Sequence, residues 1–437
     1  MQKLCRKEAK GMIKIYDMSQ IPLQEILDRQ EQAQEDVSGL VDEILGEVKA
    51  KGDKALYAFT EKFDGVQLSA LRVTEEEIDQ AVKAMDPDFL VTLEMARDNI
   101  EAFHRRQVRN DFVISEREGV ILGQKITPIS RVGLYVPGGT ASYPSSVLMN
   151  AVPARLAGVK EIVMVTPPGK DGGVSPVILA AARLAGVSKI FKIGGAQAIG
   201  ALAYGTESVP RVDKITGPGN LFVATAKSRV FGLVDIDMVA GPSEILVLAD
   251  GTCNPRYVAA DLLSQAEHDA LASAVLVTDS RELAEQVQAE LEIQLPLLPR
   301  EKIARASVEN RGKIILTQSM KQAVEAANAI APEHLEVCVD DPFALLGDIK
   351  NAGSIFLGKN TPEAMGDYFA GPNHVLPTGG TARFSSPLSV DDFIKKSSFI
   401  YYTKEALAEA KDRVADFAMR EGLAAHGRSV TVRFEEE

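Results

Sequence analysis

The sequence contains no tryptophan, and aromatic residues make up only 6% of its 437 residues. We therefore do not expect a stacking platform for nucleobases or sugars. Cysteine is scarce as well: Cys5, Cys253 and Cys338 are widely spaced and lie outside any C-x-x-C motif. Their odd number and spacing exclude a disulfide framework and a cysteine-based zinc knuckle, and they suit a reducing compartment.

Segments that direct proteins to membranes are also missing. No apolar run reaches the roughly 18 residues that a membrane helix requires. The stretch from Met1 to Lys14 is basic, but no apolar stretch follows it, so we expect no signal peptide, no membrane partner and a cytoplasmic location. The net charge of −13, from 48 basic and 61 acidic residues, argues against nucleic acid as the main partner.

The length predicts two or more packed units, and the first 110 residues have the pattern of helices. Apolar residues recur at helical spacing in 37–51 and 54–63. Thr74 and Glu77 form a capping box at the start of the next helix. A long amphipathic helix is predicted over 87–107, and we expect its His104 to be a surface residue.

From about Phe112 short β-rich runs alternate with helices, in two blocks near 132–240 and 243–360. Strict alternation predicts right-handed βαβ units, a parallel sheet in each block, and a binding crevice at the carboxyl ends of the strands. The strand candidates are 132–136, 161–166, 189–193, 245–249, 274–278, 313–316, 335–339 and 353–357. The helix candidates between them include 145–156, 175–184, 196–204 and 255–268.

The segment LSQAEH ends a predicted helix that begins at Pro255. Gln265 and His268 are spaced i, i+3, so both side chains lie on one helical face. An amide oxygen and a neutral imidazole can supply two metal ligands, although a solvated helix end is the alternative. Asp367 and His426 are the natural candidates for two further ligands. The resulting set of two nitrogens and two oxygens suits catalytic zinc, or manganese or cobalt in its place.

Glu333 and His334 stand directly before an apparent strand, in the segment APEHLE. Adjacent residues in extended backbone point opposite ways, so we expect the two side chains to flank a substrate rather than touch each other. A histidine with a pKa near neutral can take an alcohol proton, and a glutamate can activate water. A loop dipeptide without a role is the alternative.

Glycine-rich turns lie at 136–144, 193–200, 216–220 and 240–244, next to predicted strands and helices. Glycines at such places let the backbone approach phosphates, and helix N-termini favour anions. No G-x-G-x-x-G occurs, however, so the usual dinucleotide signature is absent. The spacing alone predicts an α/β protein that can bind phosphates.

Taken together, these segments resemble the histidinol dehydrogenase family of the bacterial type, from about Leu40 to Val432. The motifs that carry the resemblance recur in order: RVGLYVPGG, GGAQAIGALAYGTESVP, DKITGPGN, AGPSEILVLAD, LLSQAEHD, APEHLE, GDYFAGPNHVLPT and EGLAAH. The resemblance implies an oxidoreductase of histidine biosynthesis. Such an enzyme oxidises L-histidinol through L-histidinaldehyde to L-histidine, with water and two NAD.

The resemblance also implies roles for residues that match the motifs. His334 is implied as the base for the alcohol proton and Glu333 as the group that activates water. The implied zinc ligands, one ion per subunit, are Gln265, His268, Asp367 and His426. The implied substrate contacts are these four ligands with His334, Ser243 and Glu421, and the implied NAD contacts are Tyr135, Gln197 and Asn220. His374 lies in a matching motif, but no role is carried over to it.

The family is similar to an intertwined homodimer whose C-terminal tail crosses to the partner. Glu421 and His426 would then complete the site of the other subunit. The fold expected is α/β, with two incomplete Rossmann-like parallel-sheet domains, a helical N-terminal segment and an extended tail. The expected divisions are an arm at 1–30, a first domain at 31–131 and 244–380, a second at 132–243, and a dimerisation tail at 381–437.

Three other functions remain open at this stage. A relative with the same fold and zinc could oxidise another small alcohol, such as a sulfonated propanediol. Glu421 with Ser243 favours a cationic amino substrate, because a carboxylate repels a sulfonate. A thiol aldehyde dehydrogenase would use Cys253, in a turn before a helix, or Cys338, which the pattern favours as a core residue. A protein that senses NAD or a metabolite without catalysis is the third alternative.

Overall fold

The structure is a computed structural model that describes residues 13–27, 37–138 and 142–435. Its strands are β1 (Lys14–Asp17), β2 (Phe112–Ile114), β3 (Val120–Pro128), β4 (Arg131–Tyr135), β5 (Glu161–Thr166), β6 (Lys189–Lys192), β7 (Lys214–Thr216), β8 (Asp235–Ile236), β9 (Glu244–Ala249), β10 (Ser273–Thr278), β11 (Lys313–Leu316), β12 (His334–Cys338), β13 (Ser354–Leu357) and β14 (Ile394–Tyr402).

The helices before β9 are α1 (Leu23–Leu27), α2 (Ser38–Lys51), α3 (Asp53–Asp64), α4 (Glu75–Ala84), α5 (Pro87–His104), α6 (Pro144–Leu156), α7 (Pro176–Ala185), α8 (Gly195–Tyr204) and α9 (Leu221–Val230). Those that follow are α10 (Pro255–Ala266), α11 (Arg281–Gln294), α12 (Glu301–Asn310), α13 (Met320–Ile330), α14 (Phe343–Leu346), α15 (Glu363–Tyr368), α16 (Lys404–Arg420) and α17 (Ala424–Thr431).

The chain forms two compact units. The first contains the described residues up to Gln107 together with Ser130–Phe393, and the second contains Val108–Ile129 and the residues from Ile394 to the described end. The first unit holds two parallel sheets. The larger sheet has the order β1-β11-β10-β9-β12-β13, and the smaller sheet has the order β6-β5-β4-β7-β8.

Alternating residues of β9 supply two cores, one on each face of the larger sheet. Ile245 and Val247 pack with apolar side chains of α10, α11 and α12. Leu246 and Leu248 pack with side chains of α13. This period of two is what a strand buried on both faces requires. In the smaller sheet, and in the larger sheet from β9 onward, the chain starts in the middle, moves to one edge and then crosses to the other side, which is a doubly wound order. The first strand, β1, is added at the edge of the larger sheet.

The helices near the N-terminus cover the smaller sheet. Val41, Ile44 and Val48 of α2 are buried in one core with Val163 of β5 and Ile199 of α8. The sequence assigns residues 31–131 to the domain of the larger sheet, whereas α2 is buried against the smaller sheet. The apolar stripe of α2 predicts that the helix is buried but carries no information about which sheet buries it. The domain boundaries remain predictions.

The second unit is built around an antiparallel sheet of the order β14-β3-β2. Its long strand β14 pairs with β3 along its whole length, from Ile394 opposite Pro128 to Tyr402 opposite Val120. The capping residue Thr403, whose side chain accepts the backbone N–H of Ala406, then begins α16. The sequence pattern did not predict β3, although it marked 393–402 as a separate segment.

The alternating part of the sequence was predicted well. All eight predicted strands between 132 and 357 are present with bounds within one residue of the prediction, and the four helix candidates among them are present too. The capping box of Thr74 and Glu77 is confirmed in both of its hydrogen bonds. The short strands β1, β7 and β8, of two to four residues, were missed. Among the described helices, none has the length and apolar character needed to cross a bilayer.

Candidate active site

Helix α10 brings Gln265 back to the edge of the larger sheet where the parallel strands begin. The helix starts with Pro255 behind the capping residue Asn254, whose side chain accepts the N–H of Arg256 at 3.0 Å. The helix runs opposite to β9, so its last turn returns to the amino end of the sheet. There Gln265 Nε2 lies 3.3 Å from His334 Nδ1, and only 1% of Gln265 is exposed.

Glu333 and His334 are held at the same edge by β9 and β13. Glu333 Oε2 accepts the backbone N–H of Glu244 at 2.8 Å, and His334 Nδ1 lies 3.0 Å from the carbonyl oxygen of Glu244. A Cβ on Gly353 would lie 2.5 Å from the carbonyl oxygen of Glu333, so a side chain there would displace the backbone of the pair. Ala331, with a φ of 52°, turns the chain out of α13 just before this segment.

The two side chains of this pair do not point apart. His334 Nδ1 lies 3.6 Å from Glu333 Oε2, so the expected flanking arrangement is wrong. The strand begins only at His334, and Glu333 precedes it, so the alternation of an extended strand does not apply to this dipeptide. Both side chains are buried at the same place.

Two carboxylates from α15 complete the cluster. Asp367 Oδ1 lies 3.6 Å and Glu363 Oε1 4.0 Å from His334 Nε2. Glu363 Oε1 also accepts a hydrogen bond from Gln265 Nε2 at 2.8 Å. The sequence interpretation missed Glu363. Its spacing of four from Asp367 on a helix was the signal that could have found it, because residues i and i+4 share a face.

Burial and charge shift the proton affinities of this cluster. Burial raises the pKa of Glu333 to about 7, and burial together with the charge of Asp367 raises that of Glu363 to about 8. Burial also acts to raise the pKa of Asp367, but the imidazoles of His334 and His374 hold it well below its usual range. Burial lowers the pKa of His334, yet the charges of Glu333 and Asp367 outweigh this and raise it to about 10. At neutral pH the cluster therefore holds protons on His334 and Glu363, while Asp367 stays ionised.

The residues present fit a divalent cation. His334, Glu363 and Asp367 each offer a ligand atom, and these atoms lie within 4.8 Å of one another. Gln265 Oε1 and His334 Nε2 are buried without a hydrogen-bond partner in the part of the chain that the structure describes. Unpaired buried acceptors are costly, and a cation or a ligand would satisfy them. Oxygen and imidazole donors without thiolate suit zinc, manganese or cobalt.

The other residues predicted for this site fall into two groups. His268 and Ser243 lie in the same unit as the cluster. The charge of Asp367 acts on His268 and opposes the lowering of its pKa by burial, and Ser243 directly precedes β9. Glu421 and His426 belong to the second unit, at the end of α16 and in α17, and both are exposed.

The predicted NAD residues lie together at the carboxyl edge of the smaller sheet. Tyr135 ends β4 and its hydroxyl accepts the backbone N–H of Gly195 at 3.1 Å. Burial raises the pKa of this tyrosine to about 12, so it stays protonated and available as a donor. Gln197 is buried in the first turn of α8, and Asn220 caps α9 by accepting the N–H of Val223. Of the first glycine-rich turn, residues 139–141 lie outside the described residues.

A buried ion pair supports the glycine-rich turn at 216–220, which lies at the same edge of the smaller sheet. Lys227 Nζ donates to the carbonyl of Gly217 at 3.0 Å and to the carboxylate of Asp237, whose other oxygen accepts the N–H of Gly217 at 2.8 Å. Gly217 has a φ of 115°, and a Cβ there would lie 2.1 Å from the carbonyl oxygen of Tyr135. The sequence interpretation did not identify Lys227, because a lysine in a helix is normally solvated.

Burial also tests two expectations outside the cluster: that His104 is a surface residue and that Cys338 is a core residue. His104, expected at the surface, is fully buried, with Nδ1 2.8 Å from the carbonyl of Ile100 and Nε2 3.3 Å from Asn373 Nδ2. The prediction is wrong because the face of α5 that carries His104 is covered. Cys253 and Cys338 are both buried, and the Cys253 thiol lies 2.7 Å from the carbonyl of Cys338. The third cysteine, Cys5, lies outside the described residues.

The two doubly wound sheets and the buried acid–base cluster define an α/β enzyme. The histidinol dehydrogenase family model matches residues 27–434. The chain therefore belongs to the histidinol dehydrogenase family, as its motifs predicted.

Relatives and a solved structure agree with this assignment. A histidinol dehydrogenase of Clostridium acetobutylicum is 56% identical over 411 residues, which cover 94% of this chain and 95% of that protein. One of Listeria monocytogenes serovar 1/2a is 58% identical over 401 residues, covering 92% and 94% of the two chains. The crystal structure of a histidinol dehydrogenase from Elizabethkingia anophelis is 40% identical, covers 98% of this chain and 99% of that chain, and superposes with a TM-score of 0.93.

Proposed function

We propose that this protein is a zinc-dependent histidinol dehydrogenase that converts L-histidinol, two NAD and water into L-histidine and two NADH. The observation that carries the chemistry is the orientation of His334. Its Nδ1 faces the carbonyl oxygen of Glu244 at 3.0 Å, and a carbonyl can only accept, so Nδ1 keeps its proton and Nε2 is the nitrogen that gains and loses one. Once Nε2 is deprotonated, its lone pair points into the cluster, where a base is needed.

The first oxidation requires a proton acceptor beside the substrate hydroxyl. Nε2 of His334 accepts this proton as a hydride leaves the adjacent carbon for NAD, which gives histidinaldehyde and NADH. Glu333 then accepts a proton from the water that adds to the aldehyde carbon. After His334 has released its first proton, it takes one from the hydrate as the second hydride leaves. The products are histidine and a second NADH.

The metal and substrate are held by the remaining side chains. Zinc held by Gln265, His268, Asp367 and His426 would supply a Lewis acid that fixes the amino and imidazole nitrogens of histidinol. Ser243 and Glu421 contact the substrate, and the carboxylate of Glu421 selects an amino alcohol over a sulfonated one. The burial of Glu333 and His334 excludes bulk water from the two bases.

Tyr135, Gln197 and Asn220 hold NAD at the carboxyl edge of the smaller sheet, where glycines let the backbone approach a pyrophosphate. Lys227 acts on this site through the loop of Gly217. Replacing Lys227 with Met is expected to lower the free energy of unfolding by about 3–5 kcal/mol, because Asp237 then stays buried without its partner. NAD affinity is expected to fall by about tenfold through the loosened loop.

Urea unfolding and NADH fluorescence titration measure these two effects of Lys227→Met. The matched control is the double variant Lys227→Met with Asp237→Asn, which removes both charges and is expected to recover most of the stability. An unchanged NAD affinity in the folded single variant would contradict the supporting role of this ion pair.

We further propose that the protein acts in the cytoplasm as a homodimer with exchanged tails. The second unit supports this, because it exposes large apolar side chains that a monomer would leave in water. Ile400 is 73% exposed, Phe417 68% and Val113 62%. A second copy of the chain is the partner that would cover them and place His426 and Glu421 at the opposite site. The free thiols suit a reducing compartment.

The test of the proposed function counts NADH per histidine formed from L-histidinol, before and after removal of the metal by a chelator. The expected result is two NADH per histidine, loss of activity with the metal, and recovery on adding zinc. Zinc-loaded dimer that forms no NADH from histidinol would refute the substrate assignment. Full activity in protein shown to be metal-free would refute the zinc assignment.

A further inference from the structure

The amide of Gln265 has two chemically different ends, and only its oxygen can bind a cation. Nε2 donates to Glu363 Oε1 at 2.8 Å. Oε1 has no hydrogen-bond partner among the described residues, and Gln265 is only 1% exposed. The orientation of the amide is therefore set by its nitrogen, and the oxygen is left with free lone pairs at the cluster.

Glu363 is itself held by contacts on several sides. Its Oε2 lies 2.9 Å from Ser264 Oγ, and its backbone N–H donates to Glu336 Oε1 at 2.7 Å. Both carboxylate oxygens of Glu363 thus have hydrogen-bond partners, in contrast to the oxygen of Gln265. Ser264 and Gln265 are neighbours in α10, so the Glu363 carboxylate of α15 accepts hydrogen bonds from two consecutive residues of that helix.

We propose that Glu363 is a positioning residue that fixes the Gln265 amide with its oxygen toward the metal. This inference rests on the proposed function only in taking Gln265 as a zinc ligand. With the amide turned over, Oε1 would face Glu363 Oε1, and an ionised Glu363 would then place two buried acceptors against each other. The NH₂ group would then face the cation. Glu363 therefore stabilises the one orientation in which Gln265 binds metal.

Three substitutions separate the hydrogen bond from the charge. Glu363→Gln removes the charge but keeps an oxygen within reach of Gln265 Nε2. Its new NH₂ group can donate to Ser264 Oγ, which lies 2.7 Å from the carbonyl of Asp261 and can give its own proton there. Glu363→Asp keeps the charge but withdraws the acceptor by one methylene. Glu363→Met keeps the size and removes the acceptor and the charge.

The readout is the zinc affinity of metal-stripped full-length protein, measured by competition with a chromophoric chelator in the absence of substrate. Glu363→Gln is expected to bind zinc within about threefold of the parent protein, and Glu363→Asp and Glu363→Met about 10–100-fold more weakly, as for other residues that orient metal ligands. Equal affinity in all variants, or tighter binding by the Asp variant than by the Gln variant, would overturn the proposal. If the Glu363→Met variant does not fold, the zinc affinities of the Glu363→Gln and Glu363→Asp variants still test the proposal.

Glu336→Gln is the matched control. It replaces a carboxyl group that is also almost fully buried, and its amide oxygen can still accept the N–H of Glu363. Zinc affinity within about threefold of the parent protein is expected. A loss as large as that of Glu363→Asp would mean that any disturbance of this region weakens the metal, and would overturn the specific role. Failure of the parent protein to bind zinc would instead refute the proposed function.

Discussion

Replacing His334 with Asn is expected to lower the rate of the first NADH formed from histidinol by about 10²–10⁴-fold. The Asn amide can still donate to the carbonyl of Glu244 as Nδ1 does, so the backbone of β12 stays in place. What is lost is Nε2, the only part of the side chain that can accept the alcohol proton. NAD is expected to bind as before, because its proposed contacts lie at the smaller sheet.

Replacing Glu333 with Gln should affect the other half of the reaction. The amide oxygen keeps the hydrogen bond from the N–H of Glu244, which is 2.8 Å long in the parent protein. An amide does not take a proton from water, so oxidation of added histidinaldehyde should slow by about 10²–10⁴-fold. Oxidation of histidinol to the aldehyde should stay within about tenfold of the parent rate.

Single-turnover mixing with NAD, followed by NADH absorbance, measures the two steps separately when histidinol or histidinaldehyde is the substrate. Glu325→Gln, the same chemical change on an exposed position of α13, serves as the control and should leave both rates unchanged. If Glu333→Gln slowed both steps equally, the assignment of water activation to Glu333 would be wrong. If His334→Asn left the first step intact, the assignment of the alcohol proton to His334 would be wrong.

The alternating part of the fold was predictable because it follows from periodicity. Runs such as 161–166 and 313–316 are apolar, short and bounded by turn residues. Few structures other than a buried strand fit this pattern. The packing of α2 could not be predicted in the same way. Its apolar stripe fits any apolar surface, and the choice of the smaller sheet depends on contacts far apart in the chain.

The edge of the larger sheet that carries the candidate site was predicted wrongly. Doubly wound sheets generally bind ligands at the carboxyl ends of their strands, and the predicted NAD residues of the smaller sheet follow this rule. Glu333 and His334 instead stand at the start of β12, and Gln265 lies in the last turn of α10. The sequence held the necessary signal, because residues at the end of a crossover helix return to the amino edge.

The remaining differences concern buried polar groups. Glu363, His104 and Lys227 are residue types that are mostly exposed, and the pattern of the sequence gave no reason to bury them. Each has a specific partner outside its own helix: Gln265 for Glu363, Asn373 for His104 and Asp237 for Lys227. Such pairs are found by geometry and not by periodicity, since neither member predicts the other.

Tail exchange is expected to make two inactive variants active when they share one dimer. His334→Asn removes the base, and His426→Ala removes the proposed fourth ligand. If each site takes His334 from one chain and His426 from the other, a heterodimer of these variants has one site with both substitutions and one with neither. Purified through two different affinity tags, it should have about half of the parent activity, whereas each homodimer has almost none.

Two further heterodimers control this experiment. Parent chain paired with His334→Asn should also have about half of the parent activity, in any arrangement of the tails. His334→Asn paired with Glu333→Gln should stay defective, because both residues lie in the same cluster of one chain and every site then carries one of the changes. If the His334→Asn and His426→Ala pair also stayed inactive, His426 would act within its own chain. The exposed apolar side chains of the second unit would then need an explanation other than an exchanged tail.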